Sequence, residues 1–67
     1  MSKRQLQIYE YIKKYLIENK YPPSIREIAV GVGLKSSSTV HGHLGRMRDK
    51  GYIDFVNSAV RTLQIIR

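Results

Sequence analysis

The chain has 67 residues, which is enough for one small domain and too few for two. It contains no cysteine, which excludes a disulfide framework and a thiolate metal site, and two histidines alone do not make a zinc site, so we expect no metal and no cofactor. The net charge of +7 is typical of a domain that attracts a polyanion. On composition alone, nucleic acid, a membrane surface and an acidic protein partner remain open.

The amino-terminal part predicts an amphipathic helix from Lys3 to Asn19. Its apolar residues recur at spacings of three and four, which places most of them on one face; they are Leu6, Ile8, Tyr9, Ile12, Tyr15, Leu16 and Ile17. The Tyr21-Pro22-Pro23 segment ends this pattern with a stiff connector. No apolar stretch is long enough for a membrane span or a signal peptide, so we expect a cytosolic protein with no membrane partner.

A second, short helix is predicted to start at Ser24, because Ser24 followed by Glu27 fits a capping box. Its apolar stripe falls at positions i, i+3, i+4 and i+7; the residues are Ile25, Ile28, Ala29 and Val32. Gly33 suits the left-handed residue that ends such a helix, and Leu34 can fill the core just after it.

A third helix is predicted from about Ser37 to Lys50, with the serines at 36 to 38 as good amino-terminal caps. Its apolar stripe consists of Val40, Leu44 and Met47, and Gly51 ends it.

After Gly51 the hydrophobic period changes to two, which is typical of strands. We predict a strand over residues 52–56, a turn at 57–59 and a second strand over 60–66. A lone hairpin is marginal in water, so its apolar side chains must pack on the helices; they are Ile53, Phe55, Leu63 and Ile65.

Two helices separated by only Gly33, Leu34 and Lys35 fit a helix-turn-helix, and the hairpin after them would form a wing. The predicted fold class is therefore mainly α (α+β): a three-helix winged helix-turn-helix with a carboxy-terminal two-stranded β-hairpin. In this motif the second helix of the pair enters the DNA major groove with its first turns, so the third helix is the candidate reader.

The outward face of this third helix is small and polar where its inward face is apolar. Ser38 and Thr39 can hydrogen-bond to base edges, the Thr39 methyl can touch a thymine methyl, and His41 can donate to a purine acceptor. Gly42 and Gly45 are unfavourable in a helix by about 1 kcal/mol each relative to alanine, which suggests close approach to a ligand. The alternative is an ordinary solvated helix whose serines only cap it.

Basic residues support a phosphate-binding surface around the same helix. Lys35, Arg46, Arg48 and Lys50 lie in the third-helix region against a single acidic Asp49. Further backbone contacts are expected from Arg4, Arg26 and Arg61, and from the amino-terminal turn of the third helix at Ser36 and Ser37.

Several stretches of the sequence resemble the amino-terminal domain of Gram-positive LexA repressors. The similarity covers nearly the whole chain; its strongest parts are Tyr21-Pro22-Pro23-Ser24-Ile25-Arg26-Glu27-Ile28, Val32-Gly33-Leu34, Ser36-Ser37-Ser38-Thr39-Val40-His41-Gly42-His43-Leu44 and Lys50-Gly51-Tyr52-Ile53. The segment Asn57-Ser58-Ala59-Val60 differs from the usual wing of the family.

The resemblance implies a bacterial, nucleoid-associated repressor that binds the palindromic operators of DNA-damage-response (SOS) genes. It also implies base reading by Ser38, Thr39, His41 and Gly42. Family members carry a second domain with a self-cleavage bond, a serine-lysine dyad and the main dimer interface, which 67 residues cannot contain. We therefore expect one DNA-binding domain over residues 1–67, excised or naturally alone, that dimerises only weakly on double-stranded DNA.

Two other classes of function compete with DNA binding. An enzyme is disfavoured, because no serine or threonine has a plausible base, the acidic residues are scattered and no glycine-rich phosphate loop follows a strand. A winged-helix module that binds a protein partner without sequence-specific DNA binding is the stronger rival. Salt separates these two binding modes, since DNA binding weakens steeply with added salt and an apolar protein interface does not.

Overall fold

Three helices and a two-stranded antiparallel sheet follow one another along the chain. The computed structural model describes residues 1–57 and 59–67. The helices are α1 (Lys3–Asn19), α2 (Ile25–Val32) and α3 (Ser37–Asp49), and the strands are β1 (Ile53–Asp54) and β2 (Gln64–Ile65). The predicted class, mainly helical with a carboxy-terminal hairpin, is confirmed.

The ends of the helices follow local sequence signals. At the start of α2 the Ser24 hydroxyl accepts a hydrogen bond from the Glu27 amide at 3.1 Å, and the Glu27 carboxylate accepts one from the Ser24 amide at 2.8 Å. Gly33 and Gly51 follow α2 and α3 with φ values of 77° and 80°, a conformation that glycine adopts without strain. Ser36 occupies the N-cap position of α3 as predicted, but its hydroxyl makes no capping hydrogen bond.

One core joins all three helices to the hairpin. Its fully or nearly buried side chains come from each element: Ile8 and Ile12 from α1; Ile28 and Ala29 from α2; Val40, Leu44 and Met47 from α3; Ile53, Phe55 and Leu63 from the hairpin. Leu34 packs at the edge of this core, as its position after the turn predicts. The inward face of α3 is therefore committed to packing, and its opposite face is left for solvent or a ligand.

The hairpin is shorter than the sequence predicts. Only two residues on each side pair, in the register Ile53 with Ile65 and Asp54 with Gln64, so the predicted strands over 52–56 and 60–66 are too long. Within the predicted second strand Arg61 has a φ of 60°, which no β-strand residue adopts, and the Val56 amide donates to the Thr62 hydroxyl at 2.8 Å instead of to a backbone carbonyl. Ser58, in the predicted turn, lies outside the described residues. We call residues 53–65 the wing.

Candidate nucleic-acid interface

The first two turns of α3 present small polar side chains at the surface. Ser37, Ser38, Thr39 and His41 are exposed, and Gly42 is half-buried. On the other side of the same helix Val40 is completely buried. The predicted division of α3 into a polar outward face and an apolar inward face is therefore confirmed. The four predicted base-reading positions lie in the first turns of α3, directly after the connection from α2.

The two glycines of α3 leave open space on the molecular surface. A Cβ atom built at Gly42 would have the Arg46 guanidinium as its nearest neighbour, at 3.8 Å, and one built at Gly45 would meet nothing within 4 Å. Packing inside the protein therefore does not require a glycine at either position. Because glycine has no side chain, a ligand can approach the backbone of α3 more closely at these two positions.

A groove of about 470 Å³ lies between the starts of α2 and α3 and the wing. Arg26, Ser37, Ser38 and His41 line its helical side. The wing side includes Phe55, Asn57 and Val60. With Arg61, which also lines the wing side, the structure brings together five residues predicted separately as DNA contacts on one concave surface.

Three of the predicted phosphate-binding side chains, Arg26, Lys35 and Arg46, are exposed. Within residues 1–57 and 59–67 none of them makes a hydrogen bond or ion pair with the protein. Ser36 is also exposed. Its hydroxyl does not cap α3, so it accepts no hydrogen bond from the first backbone amides of that helix. These groups are all available to an anionic ligand.

Arg61 is engaged inside the protein, although the sequence suggests a phosphate contact there. Its guanidinium forms an ion pair with Glu27 at 2.9 Å and donates to the Pro22 carbonyl at 3.1 Å, and it lies 4.9 Å from the centre of the Tyr21 ring. A hydrogen bond from the Ser24 amide and the bonds from Arg61 lower the pKa of Glu27 to about 2. The charge of Arg61 is therefore already compensated, and the residue ties the wing to the α1–α2 connection.

Arg4 keeps its net charge, although it too has a partner. Its guanidinium donates to the Val32 carbonyl at 2.7 Å, at the carboxy-terminal end of α2. The carboxy-terminal end of a helix carries only a partial negative charge, so this bond positions the side chain and compensates its charge only in part. Arg4 does not line the groove, so any phosphate that it contacts must lie outside it.

His43 is a partly buried residue of α3, unlike the exposed His41. Its Nδ1 atom is buried and has no hydrogen-bond partner in the described residues. Burial lowers the pKa of His43, and the positive charges of Arg46 and Arg4 lower it further. The ring is therefore held in its neutral form.

We expect this burial to make the fold sensitive to acid. Because the unfolded chain keeps the ordinary histidine pKa of about 6.5, it binds more protons than the folded chain as the pH falls through that value. The free energy of unfolding should then decrease as the pH falls from about 6.5 toward the lower pKa of the folded chain. Urea unfolding followed by circular dichroism checks this: His43→Gln should reduce the pH dependence. An unchanged profile in His43→Gln would contradict the assignment.

Two contacts of the site have no local sequence signal. Glu27 is recognisable as a capping residue, but its partner Arg61 lies 34 positions away in the chain. Phe55 is recognisable as a core residue, but its contact with the His41 ring joins the wing to α3. Such pairings depend on how the elements pack, so no spacing rule finds them.

A helix pair joined by a short glycine turn, with a hairpin packed behind the second helix and a basic polar surface on that helix, defines a winged helix-turn-helix domain. In the described residues no helix is long and apolar enough to cross a membrane. The same residues contain no group of three or more potential metal-binding side chains among His, Cys, Asp and Glu.

Comparison with known proteins identifies the family. The family model described as the LexA DNA binding domain matches residues 1–62. LexA repressors of Staphylococcus epidermidis and Clostridium novyi are 53% and 50% identical over 98% and 96% of this chain, and that of Staphylococcus aureus is 52% identical over 98%. The chain belongs to the LexA DNA-binding domain family. It spans about a third of the length of these relatives, 32%, 31% and 32% respectively, and the matched family model is a DNA-binding domain and not a catalytic one.

Proposed function

We propose that this domain binds double-stranded DNA sequence-specifically, with α3 in the major groove, and thereby represses transcription. The observation that carries the proposal is the outward face of α3, where small polar side chains stand beside uncompensated basic ones at the edge of one groove. The major groove is about 12 Å wide and admits an α-helix, and small residues at its surface let the helix approach the bases closely.

The residues divide into base readers and backbone contacts. Ser38, Thr39 and His41 would hydrogen-bond to base edges, and Gly42 would allow the approach. Phosphates would be bound mainly by three cations without an acidic partner and by two serines at the start of α3; these residues are Arg26, Lys35, Arg46, Ser36 and Ser37. Arg4 would reach the backbone outside the groove. Arg61 would contribute less as a phosphate ligand than as the residue that holds the wing in place.

The operator would be a palindrome of the DNA-damage-response (SOS) type, bound by two copies of the chain in the bacterial cytosol on the nucleoid. Membership of the LexA family supports this reading, and the molecular dimensions are compatible with it. The Cα trace measures 25 × 25 × 24 Å, whereas half-sites one helical turn apart are separated by roughly 34 Å. Two copies would therefore make few contacts with each other, and dimerisation through this domain alone would be weak.

A protein-interaction role is the second candidate, favoured by two apolar side chains on the wing. Val56 and Val60 are 57% and 73% exposed. An interface built on them would be largely apolar and insensitive to salt. A phosphate-binding surface behaves differently. The logarithm of its association constant falls linearly with the logarithm of the salt concentration, with a slope of roughly −0.9 for each phosphate neutralised.

Binding to two duplexes distinguishes sequence-specific DNA binding from the protein-interaction role. The purified chain is titrated, by fluorescence anisotropy, against a palindromic LexA-type operator and a scrambled duplex of equal length, each at two salt concentrations. Tighter, salt-sensitive binding to the operator is expected. Equal affinity for the two duplexes would reduce the function to nonspecific DNA binding, and no binding at either salt concentration would favour the protein-interaction role.

We expect His41→Ala and Arg46→Ala to separate reading from phosphate binding. His41→Ala should reduce the preference for the operator by roughly 1 to 3 kcal/mol and change binding to the scrambled duplex little. Arg46→Ala should weaken binding to both duplexes and reduce the salt slope by about one. The same titrations measure both effects, and equal losses on the two duplexes for His41→Ala would contradict the reading role.

A further inference from the structure

Arg48, in the last turn of α3, is bound to the wing through both its charge and its hydrogen-bond donors. Its guanidinium carbon lies 4.3 Å from the centre of the Phe55 ring. Its Nη1 atom donates to the Phe55 carbonyl at 3.3 Å and to the Asn57 side-chain oxygen at 3.0 Å. One side chain thus contacts the Phe55 carbonyl, the Phe55 ring and the Asn57 side chain of the wing.

The ring that Arg48 holds also contacts His41. The centres of the His41 and Phe55 rings are 5.7 Å apart and their planes are inclined by 81°, an edge-to-face arrangement that aromatic rings favour. His41 and Arg48 are seven residues apart, so they lie on the same side of α3 two turns from each other. Phe55 is only 8% exposed and belongs to the core, so core packing and the contact with Arg48 together hold the ring that faces His41.

We infer that Arg48 is a positioning residue for base recognition, which acts by holding Phe55 against α3 so that Phe55 orients the His41 imidazole at the groove. The inference rests on the proposed function, in which His41 reads a base edge. An exposed histidine without such a contact would sample several rotamers, and the ordering cost would be met on binding DNA. With Phe55 in place, the ring is restricted before DNA arrives.

The alternative role for Arg48 is a direct phosphate contact, because its partners in the protein are neutral oxygens and its charge is uncompensated. The two roles differ in what a lysine at this position can do. Lysine keeps the charge and can bind phosphate, but it lacks the planar group that stacks on a ring while donating to two acceptors. A phosphate contact should survive Arg48→Lys, and a positioning contact should not.

The test uses two variants of the whole chain and one matched control. Arg48→Lys preserves charge, and Phe55→Leu preserves an apolar core side chain while removing the ring. Lys14→Arg is the control, a charge-preserving change at an exposed position of α1 that does not line the groove. Thermal unfolding establishes that each variant is folded. The readouts are the chemical shifts of the His41 ring protons in the free protein, and the affinities for the operator and scrambled duplexes at two salt concentrations.

We expect the His41 ring signals to move in Arg48→Lys and Phe55→Leu and to stay in place in Lys14→Arg. The preference for the operator should fall about 5- to 10-fold in the first two variants, with the salt slope and the affinity for the scrambled duplex unchanged. Unchanged ring signals and preference in Arg48→Lys would overturn the inference, as would equal losses on both duplexes. If the wild-type chain shows no preference for the operator, the proposed function fails and the role in base recognition falls with it. The ring signals would still show separately whether Arg48 orients His41.

Discussion

Replacing Leu44 with alanine should leave most of the chain unfolded at 25 °C. Leu44 is fully buried in the middle of the α3 stripe and belongs to the one core that joins the helices to the wing. Removing a buried leucine side chain costs roughly 2 to 5 kcal/mol through lost burial and the remaining cavity. A core of this size rarely supplies more than about 3 to 5 kcal/mol of net stability, so the loss is comparable to the total.

Urea unfolding monitored by circular dichroism measures this effect, and Ile17→Ala provides the control. Ile17 is also an apolar helix residue, but it is 69% exposed, and its truncation should change the free energy of unfolding by less than about 0.5 kcal/mol. A Leu44→Ala chain with the wild-type unfolding midpoint would show that the stability does not come from this core.

Gly42→Ala should stabilise the fold and weaken operator binding at the same time. An alanine in a helix interior is favoured over glycine by roughly 0.5 to 1 kcal/mol, and the new Cβ has room on the surface of α3. The same methyl group would stand between the helix and the bases and lengthen their hydrogen bonds, so we expect the operator affinity to fall about tenfold. Thermal unfolding and the operator titration measure the two effects separately.

Gly45→Ala is the matched control for this prediction. It introduces the same methyl group into the same helix, with no protein atom within 4 Å, and should give a similar gain in stability. Base contacts in this motif come from the first turns of the reading helix, and Gly45 lies almost one turn further along, so the loss of affinity should be smaller. Equal affinity of Gly42→Ala and wild type would mean that α3 does not approach the bases at Gly42.

The helices could be predicted because their signals are local. Apolar residues at helical spacing, a serine-glutamate capping box and two glycines in left-handed conformation define α1, α2 and α3 to within about a residue at each end. The positions facing outward from α3 follow from the same periodicity, since Val40, Leu44 and Met47 must face the core. The candidate reading face could therefore be identified before any tertiary contact was known.

The wing could not be predicted with the same accuracy. A run of β-branched residues from Val60 onward indicates a strand, yet Arg61 turns into a left-handed conformation and its side chain pairs with Glu27. Strand propensity is a weak preference, and here a turn carrying an ion pair and several hydrogen bonds outweighs it. Because of the same packing, Arg61 is bound to Glu27 within the protein, whereas the sequence predicts a phosphate contact for it.

The sequence alone is enough to identify three helices, their inward and outward faces, the basic character of the surface and the family of the chain. These properties depend on residues within one or two helical turns of each other, where the geometry is the same in every protein. Only the tertiary structure shows which basic side chains have partners inside the protein and which do not. Arg26, Lys35 and Arg46 remain available, whereas Arg61 and Arg48 are held by partners from other elements, because such contacts arise only when distant segments pack together.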